Sequence, residues 1–162
     1  MRKCCFPGSF DPISNGHIDI INRISKLYDE VYVIVSNNVK KRYLFTANER
    51  CDMLKTVTSH LKNIHIIIYD NLVTRFCEDN NIDVIIRGLR NINDYQDELT
   101  LAQFNHDLSP NVETLLLFPS PEKQMVSSSA IKELVYFGAD ISKYVPYELK
   151  DIIYNKIKDS IK

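Results

Sequence analysis

Four short stretches of the chain hold residue types that can grip phosphate. The first ends the run FPGSFDPISNGH, Phe6 to His17, which carries two prolines and two of the chain's four glycines. Gly16 lets a ligand approach the backbone closely. His17 would open a helix, where unsatisfied N–H groups and the helix dipole favour an anion and disfavour an imidazolium. A neutral imidazole there can donate one N–H to a phosphate oxygen. The second stretch is Lys40-Lys41-Arg42, and the third is Arg87-Gly88-Leu89-Arg90, whose guanidiniums can each hold phosphate bidentately. The fourth is Ser127-Ser128-Ser129, where successive hydroxyls and N–H groups can cradle a polyphosphate. Each stretch also has a plainer reading: a capping turn, a solvated charge run, a solvated loop and a simple serine N-cap. No Walker A sequence and no G-x-G-x-x-G occurs, so neither a P-loop nor a dinucleotide fingerprint is present.

What must position these residues is read from the apolar periodicity. Five short apolar runs, Cys4–Phe6, Val31–Val35, Ile64–Tyr69, Val84–Ile86 and Leu115–Phe118, are continuous rather than alternating, as suits strands of a parallel sheet covered on both faces. Between them lie amphipathic stretches. Ile18, Ile21, Ile24 and Leu27 recur at helical spacing, and Thr46-Ala47-Asn48-Glu49 is a capping box opening 50–58. Helices are also expected over 72–80, over 94–108 with Tyr95, Leu99, Ala102 and Leu108 on one side, over 129–136, and over 146–157 with Pro146 in the first turn. The order βαβαβαβαβα predicts a doubly wound α/β domain with a mostly parallel five-stranded sheet, a single domain over 1–162. In that architecture ligands bind beyond the carboxyl ends of the strands, and all four stretches follow strand ends. Their convergence on one edge is what argues for a site.

Composition bounds the partners. Twenty basic residues oppose twenty-one acidic ones, for a net charge of −1, which argues against general affinity for nucleic acid or membranes. No apolar run reaches the ~18 residues of a membrane span, and no secretory h-region opens the chain, so a cytoplasmic protein is expected. Cys4, Cys5, Cys51 and Cys77 form no C-x-x-C pair and no zinc spacing, and are expected to be reduced, partly buried thiols.

Taken together, the chain resembles the bacterial phosphopantetheine adenylyltransferases of the nucleotidylyltransferase superfamily. The resemblance rests on Pro7–Pro12 with Asn15-Gly16-His17, Phe45-Thr46 with Glu49-Arg50, Ile86–Arg90 with Asp94-Tyr95 and Glu98, and Ser127–Ser129, in family order and spacing. It implies a Rossmann-like nucleotidylyltransferase fold and a reaction in which the phosphate of 4'-phosphopantetheine attacks the α-phosphorus of ATP. It implies that His17 and Lys41 are catalytic, and that Ser9, Lys41, Val73 and Arg87 bind phosphopantetheine. It further implies an ATP site of Ser9, Phe10, His17, Gly88, Leu89, Arg90 and Glu98, together with Lys123, Gln124, Met125, Val126, Ser127, Ser128 and Ser129. Mg2+ bridging the polyphosphate with few protein ligands, no dedicated protein metal site, and a homohexamer are likewise implied. Ser9 stands where threonine is usual, and Lys123-Gln124-Met125-Val126 lacks an aromatic residue often seen before the serines. Rival readings are adenylyl transfer to nicotinamide mononucleotide, cytidylyl transfer to glycerol 3-phosphate, and a non-catalytic nucleotide-binding module.

Overall fold

A computed structural model describes residues 1–37, 42–123 and 126–161. Lys40, Lys41, Gln124 and Met125 therefore lie outside the described residues. Five strands, β1 (Lys3–Gly8), β2 (Glu30–Val35), β3 (Ile64–Ile68), β4 (Val84–Gly88) and β5 (Glu113–Leu117), alternate with helices. The helices are α1 (Asn15–Ile24), α2 (Ala47–Thr58), α3 (Val73–Asp79), α4 (Ile92–Leu108), α5 (Ser128–Tyr136) and α6 (Lys150–Ile161). The sheet order is β3-β2-β1-β4-β5, and every pairing is parallel. The sheet is thus wholly rather than mostly parallel. The order reverses between β1 and β4, which is where a ligand crevice belongs in this architecture.

The apolar runs pack as their length predicts in the middle of the sheet and less so at its edges. Cys4, Val31, Val33 and Ile86 join α1, α2, α5 and α6 in one buried cluster. Cys5, Ile34 and Ile85 face the other side, with Phe76, Cys77, Ile82 and Val112. Cys4 and Cys5 thus fall on opposite faces, as adjacent strand residues must. All four cysteines are buried free thiols. Burial pushes Cys4 up to about 12, so it stays a thiol.

Several boundaries move. β4 runs on through Gly88, so Arg87 and Gly88 are its last residues rather than part of the following loop. Pro146 heads a short 3-10 turn, Tyr147–Leu149, and α6 proper starts at Lys150. α1 ends at Ile24, leaving Leu27 exposed. α4 starts at Ile92, capped by the Asn91 side chain, which accepts N–H bonds from Asn93 and Asp94. The expected apolar side of α4 does not face a core. Glu98 is its only buried residue, while Tyr95, Leu99 and Leu108 stay exposed.

Candidate active site

The turn after β1 is fixed from its own residues outward. Phe10 takes a left-handed backbone, φ +50°, which costs a non-glycine residue of order 1–3 kcal/mol. Its ring is fully buried and meets Phe6 and His17 edge-on, with centroids 5.7 and 5.1 Å away. Burying a phenylalanine contributes roughly 1.5–3 kcal/mol and each such aromatic pair about 0.5–1.5 more, so packing outweighs the strain. The same ring explains Gly8: a Cβ there would come within 2.8 Å of it.

Ser14 then caps α1, and His17 is its third residue. The Ser14 backbone N–H donates to His17 Nδ1 at 3.1 Å, and the Ser14 hydroxyl lies 3.0 Å from the same nitrogen. An Nδ1 that accepts carries no proton, so the ring proton sits on Nε2. The ring is also held neutral. Burial, then the charges of Arg90 and Arg87, push its pKa down to about 4. The imidazole is therefore a fixed neutral donor.

His17 borders a cleft whose walls include Ser9, Arg87, Gly88, Arg90 and Glu98 on one side and Ser127, Ser128 and Ser129 on the other. Arg87 projects from the end of β4. Its Nε and Nη2 hold the two oxygens of Glu98 at 2.7 and 2.8 Å, and its Nη1 donates to the Pro7 carbonyl at 2.8 Å. Arg90 grips Asp94 through Nε at 2.8 Å and Nη2 at 3.0 Å. A guanidinium has five N–H donors. Among the described residues Arg87 thus keeps two for a ligand and Arg90 three. Asp94 and Glu98 stand one turn apart on α4, so a single helix aims both arginines.

The serine wall divides its labour. Ser127 is the N-cap of α5, accepting the Ala130 N–H at 3.0 Å. Ser128 donates its hydroxyl to the Pro12 carbonyl at 2.9 Å, stitching the wall to the β1 turn. Two basic side chains adjoin this region, Arg42 from the second stretch and Lys132, which spacing did not single out. Lys132 and Arg42 line a smaller hollow with Ser9, Asp11, Ser128 and Ser129. Lys132 was hidden because it reads as an ordinary helix lysine. The signal available was Asp11, an aspartate inside a buried turn.

Not every expected residue reaches the cleft. The Phe10 ring is in the core, and the Leu89 side chain is buried against an apolar hollow with Asn91, Ile92, Tyr95, Leu116 and Phe118. Val73 opens α3 and packs on the second core cluster, Lys123 ends the 3-10 turn Pro121–Lys123, and Val126 packs on the main cluster. Lys41, Gln124 and Met125 lie outside the described residues. No cluster of three His, Cys, Asp or Glu able to hold a metal occurs among the described residues.

The geometry fits phosphoryl chemistry by positioning. It joins a neutral N–H donor, two aimed arginines and the N-terminus of a nine-residue helix around one crevice at the strand-order switch. The comparisons with known proteins agree. A family model described as Cytidylyltransferase-like matches residues 5–134. A phosphopantetheine adenylyltransferase of Vesicomyosocius okutanii is 42% identical over 97% of this chain and 100% of its own length. That of Bdellovibrio bacteriovorus is 42% identical over 94% and 96%, and that of Clostridium beijerinckii 40% over 97% and 99%. Among solved structures, a protein assigned as a nicotinate-nucleotide adenylyltransferase from Vibrio parahaemolyticus superposes with a TM-score of 0.65. It covers 94% of this chain and 99% of its own, at 19% identity, and so speaks for the fold alone. The near-full-length identities go further, and by them the chain belongs to the phosphopantetheine adenylyltransferase family within the cytidylyltransferase-like fold.

Proposed function

We propose that the chain transfers the adenylyl group of ATP to 4'-phosphopantetheine, giving dephospho-coenzyme A and pyrophosphate, a step of coenzyme A biosynthesis. Family membership at about 40% identity supports the acceptor. The observation that carries the chemistry is His17: half-buried, neutral, and tautomerically fixed with its Nε2 proton free beside two arginines.

In this reading a phosphate oxygen of phosphopantetheine attacks the α-phosphorus of ATP. The α–β bridging oxygen leaves with pyrophosphate, and no covalent enzyme intermediate forms. His17 Nε2–H meets the charge that grows on the non-bridging α-oxygens in the transition state, where a donor in a water-poor site contributes most. Arg87 and Lys41 hold the acceptor phosphate, with Ser9 orienting it and Val73 meeting the pantetheine arm. Arg90, Gly88, Leu89, Glu98 and the backbone of Phe10 belong to the nucleotide side. The segment 123–129 holds adenine and the β,γ-phosphates, with Ser127, Ser128 and Ser129 at the helix N-terminus. Glu98 acts through Arg87, which it grips bidentately.

Magnesium enters as part of the substrate, MgATP. The cleft's own carboxylates fit a metal poorly, because Glu98 and Asp94 are already committed to Arg87 and Arg90. The phosphate oxygens are its ligands. The four free cysteines suit a reducing, cytoplasmic compartment. The homohexamer that the family resemblance implies would cover apolar side chains left exposed on α4 and at the end of the sheet, among them Ile92, Phe104, Leu108, Leu115 and Phe118.

The deciding experiment incubates the protein with ATP, magnesium and 4'-phosphopantetheine and detects dephospho-coenzyme A by mass. Parallel reactions offer nicotinamide mononucleotide, and glycerol 3-phosphate with CTP. Product from phosphopantetheine is expected. Product from another acceptor alone, or none from any, would overturn the reading.

A further inference from the structure

Asp11 is a buried carboxylate whose partners are all distant in sequence. One oxygen accepts the Phe45 N–H at 2.8 Å, and the other accepts the Leu44 N–H at 2.9 Å and the Lys132 ammonium at 2.8 Å. It therefore joins three pieces of chain: the turn after β1, the segment leading into α2, and α5. An aspartate serving only its own turn would bond to backbone a few residues on. This one does not. Stability does not explain it either, since a buried ion pair is often no better than an apolar replacement of the same volume.

The geometry around it has a direction. Lys132 and Ser128 are one turn apart on α5, and they bond to the consecutive residues Asp11 and Pro12. α5 is thus pinned to the β1 turn at two adjacent points. Arg50, fully buried, holds the same turn at a further point. It donates to the Ser9 carbonyl at 2.7 Å and the Ser36 carbonyl at 3.1 Å. The width of the cleft between Ser9 and His17 on one wall and the α5 serines on the other is set by these ties.

We propose that Asp11 and Lys132 are positioning residues for the transfer, a buried ion pair that fixes the gap between the β1 turn and the N-terminus of α5. The proposal rests on the function assigned above. Neither residue need touch substrate. Transfer between aligned phosphates tolerates little slack, and a 1 Å misplacement can cost about a hundredfold in rate. Loosening the gap lowers kcat while leaving intact the groups that bind ground-state ATP.

The test compares Lys132→Met, Lys132→Arg, Asp11→Asn and the Asp11→Asn/Lys132→Met double variant. It reads kcat, KM for ATP, the Kd of ATP by calorimetry, and amide exchange at Leu44 and Phe45. Each of Lys132→Met and Asp11→Asn is expected to lower kcat more than about thirtyfold with KM and Kd within about threefold. The double variant should be no more than about threefold slower than the slower single, because the two act as one unit. Lys132→Arg should recover kcat to within about fivefold. Asp11→Asn should speed exchange at Leu44 or Phe45. A lower melting temperature with native kcat would reduce the pair to a structural role and overturn the proposal. So would a Lys132→Met protein with native kcat and ATP binding weakened more than about tenfold, which would make Lys132 a direct phosphate ligand. If Asp11→Asn does not fold, the two Lys132 variants still decide, because that side chain reaches the surface. ATP affinity and amide exchange need no acceptor, so they separate failure of the pair from failure of the proposed reaction.

Discussion

At the scale of single residues, His17 concentrates the argument. Its ring proton is placed on Nε2 by the Ser14 N–H, and its neutrality follows from burial and two guanidiniums. Replacing it by alanine should lower kcat by about 10²–10³-fold, the loss expected for one preorganised transition-state donor, while ATP affinity stays within about tenfold. Rapid-quench turnover and calorimetry read the two separately, and near-normal turnover in His17→Ala would contradict its assignment. A second expectation is spectroscopic. A folded pKa near 4, below the ordinary 6.5, means the folded chain refuses a proton that the unfolded chain accepts between those values. Stability should therefore fall as pH drops from about 6.5 to about 4, and above that window His17 should leave it unchanged. In NMR titration the His17 resonances should not move near pH 6.5. A midpoint there would show an exposed, ordinary histidine.

At the scale of elements, α1, α4 and α5 each bring a different tool to one crevice, and each should fail in its own way. Arg87→Ala removes a charge-assisted grip worth roughly 1.5–3 kcal/mol, so phosphopantetheine should bind about ten- to a hundredfold more weakly, with ATP less affected. Ser128→Ala should act mainly on ATP. Calorimetry with each substrate checks this, and equal effects of both variants on both ligands would contradict the proposed division. Much of this layout was legible in the sequence. The strands, the Thr46–Glu49 capping box, His17 near a helix start and the serine cap are local patterns, and the capping box stands as written, with both reciprocal bonds formed. What local pattern could not reveal were partnerships across the chain. Asp11 with Lys132 spans 121 positions and Arg50 with Ser9 spans 41. Nor could periodicity show that Asp94 and Glu98 point at arginines. The apolar residues of α4 have helical spacing whether they meet this chain's core or another copy, so their exposure was equally hidden.

At the scale of the whole molecule, that exposure becomes the last prediction. The accessible surface is 9536 Å², against about 8,300 Å² expected of a monomeric protein this size. Edge strand β5 leaves Leu115 uncovered, and Phe118 just beyond it is 66% exposed. On α4, Phe104 and Leu108 are one turn apart, 59% and 54% exposed. In the proposed hexamer an apolar surface of this kind would be covered where copies of the chain meet. Side chains already so open contribute little to the fold of one chain, so charges placed there should spare it. They should, however, be intolerable between copies, because an unpaired charge buried in an apolar contact is strongly unfavourable. The Phe104→Glu/Leu108→Glu variant is therefore expected to keep its far-ultraviolet circular dichroism but lose the assembly. Light scattering during gel filtration should give six times the 18.8 kDa chain mass for the unmodified protein and a smaller multiple for the variant. An unmodified protein running as a single chain at micromolar concentration would overturn the hexamer. An unchanged mass for the variant would move the contact to another face.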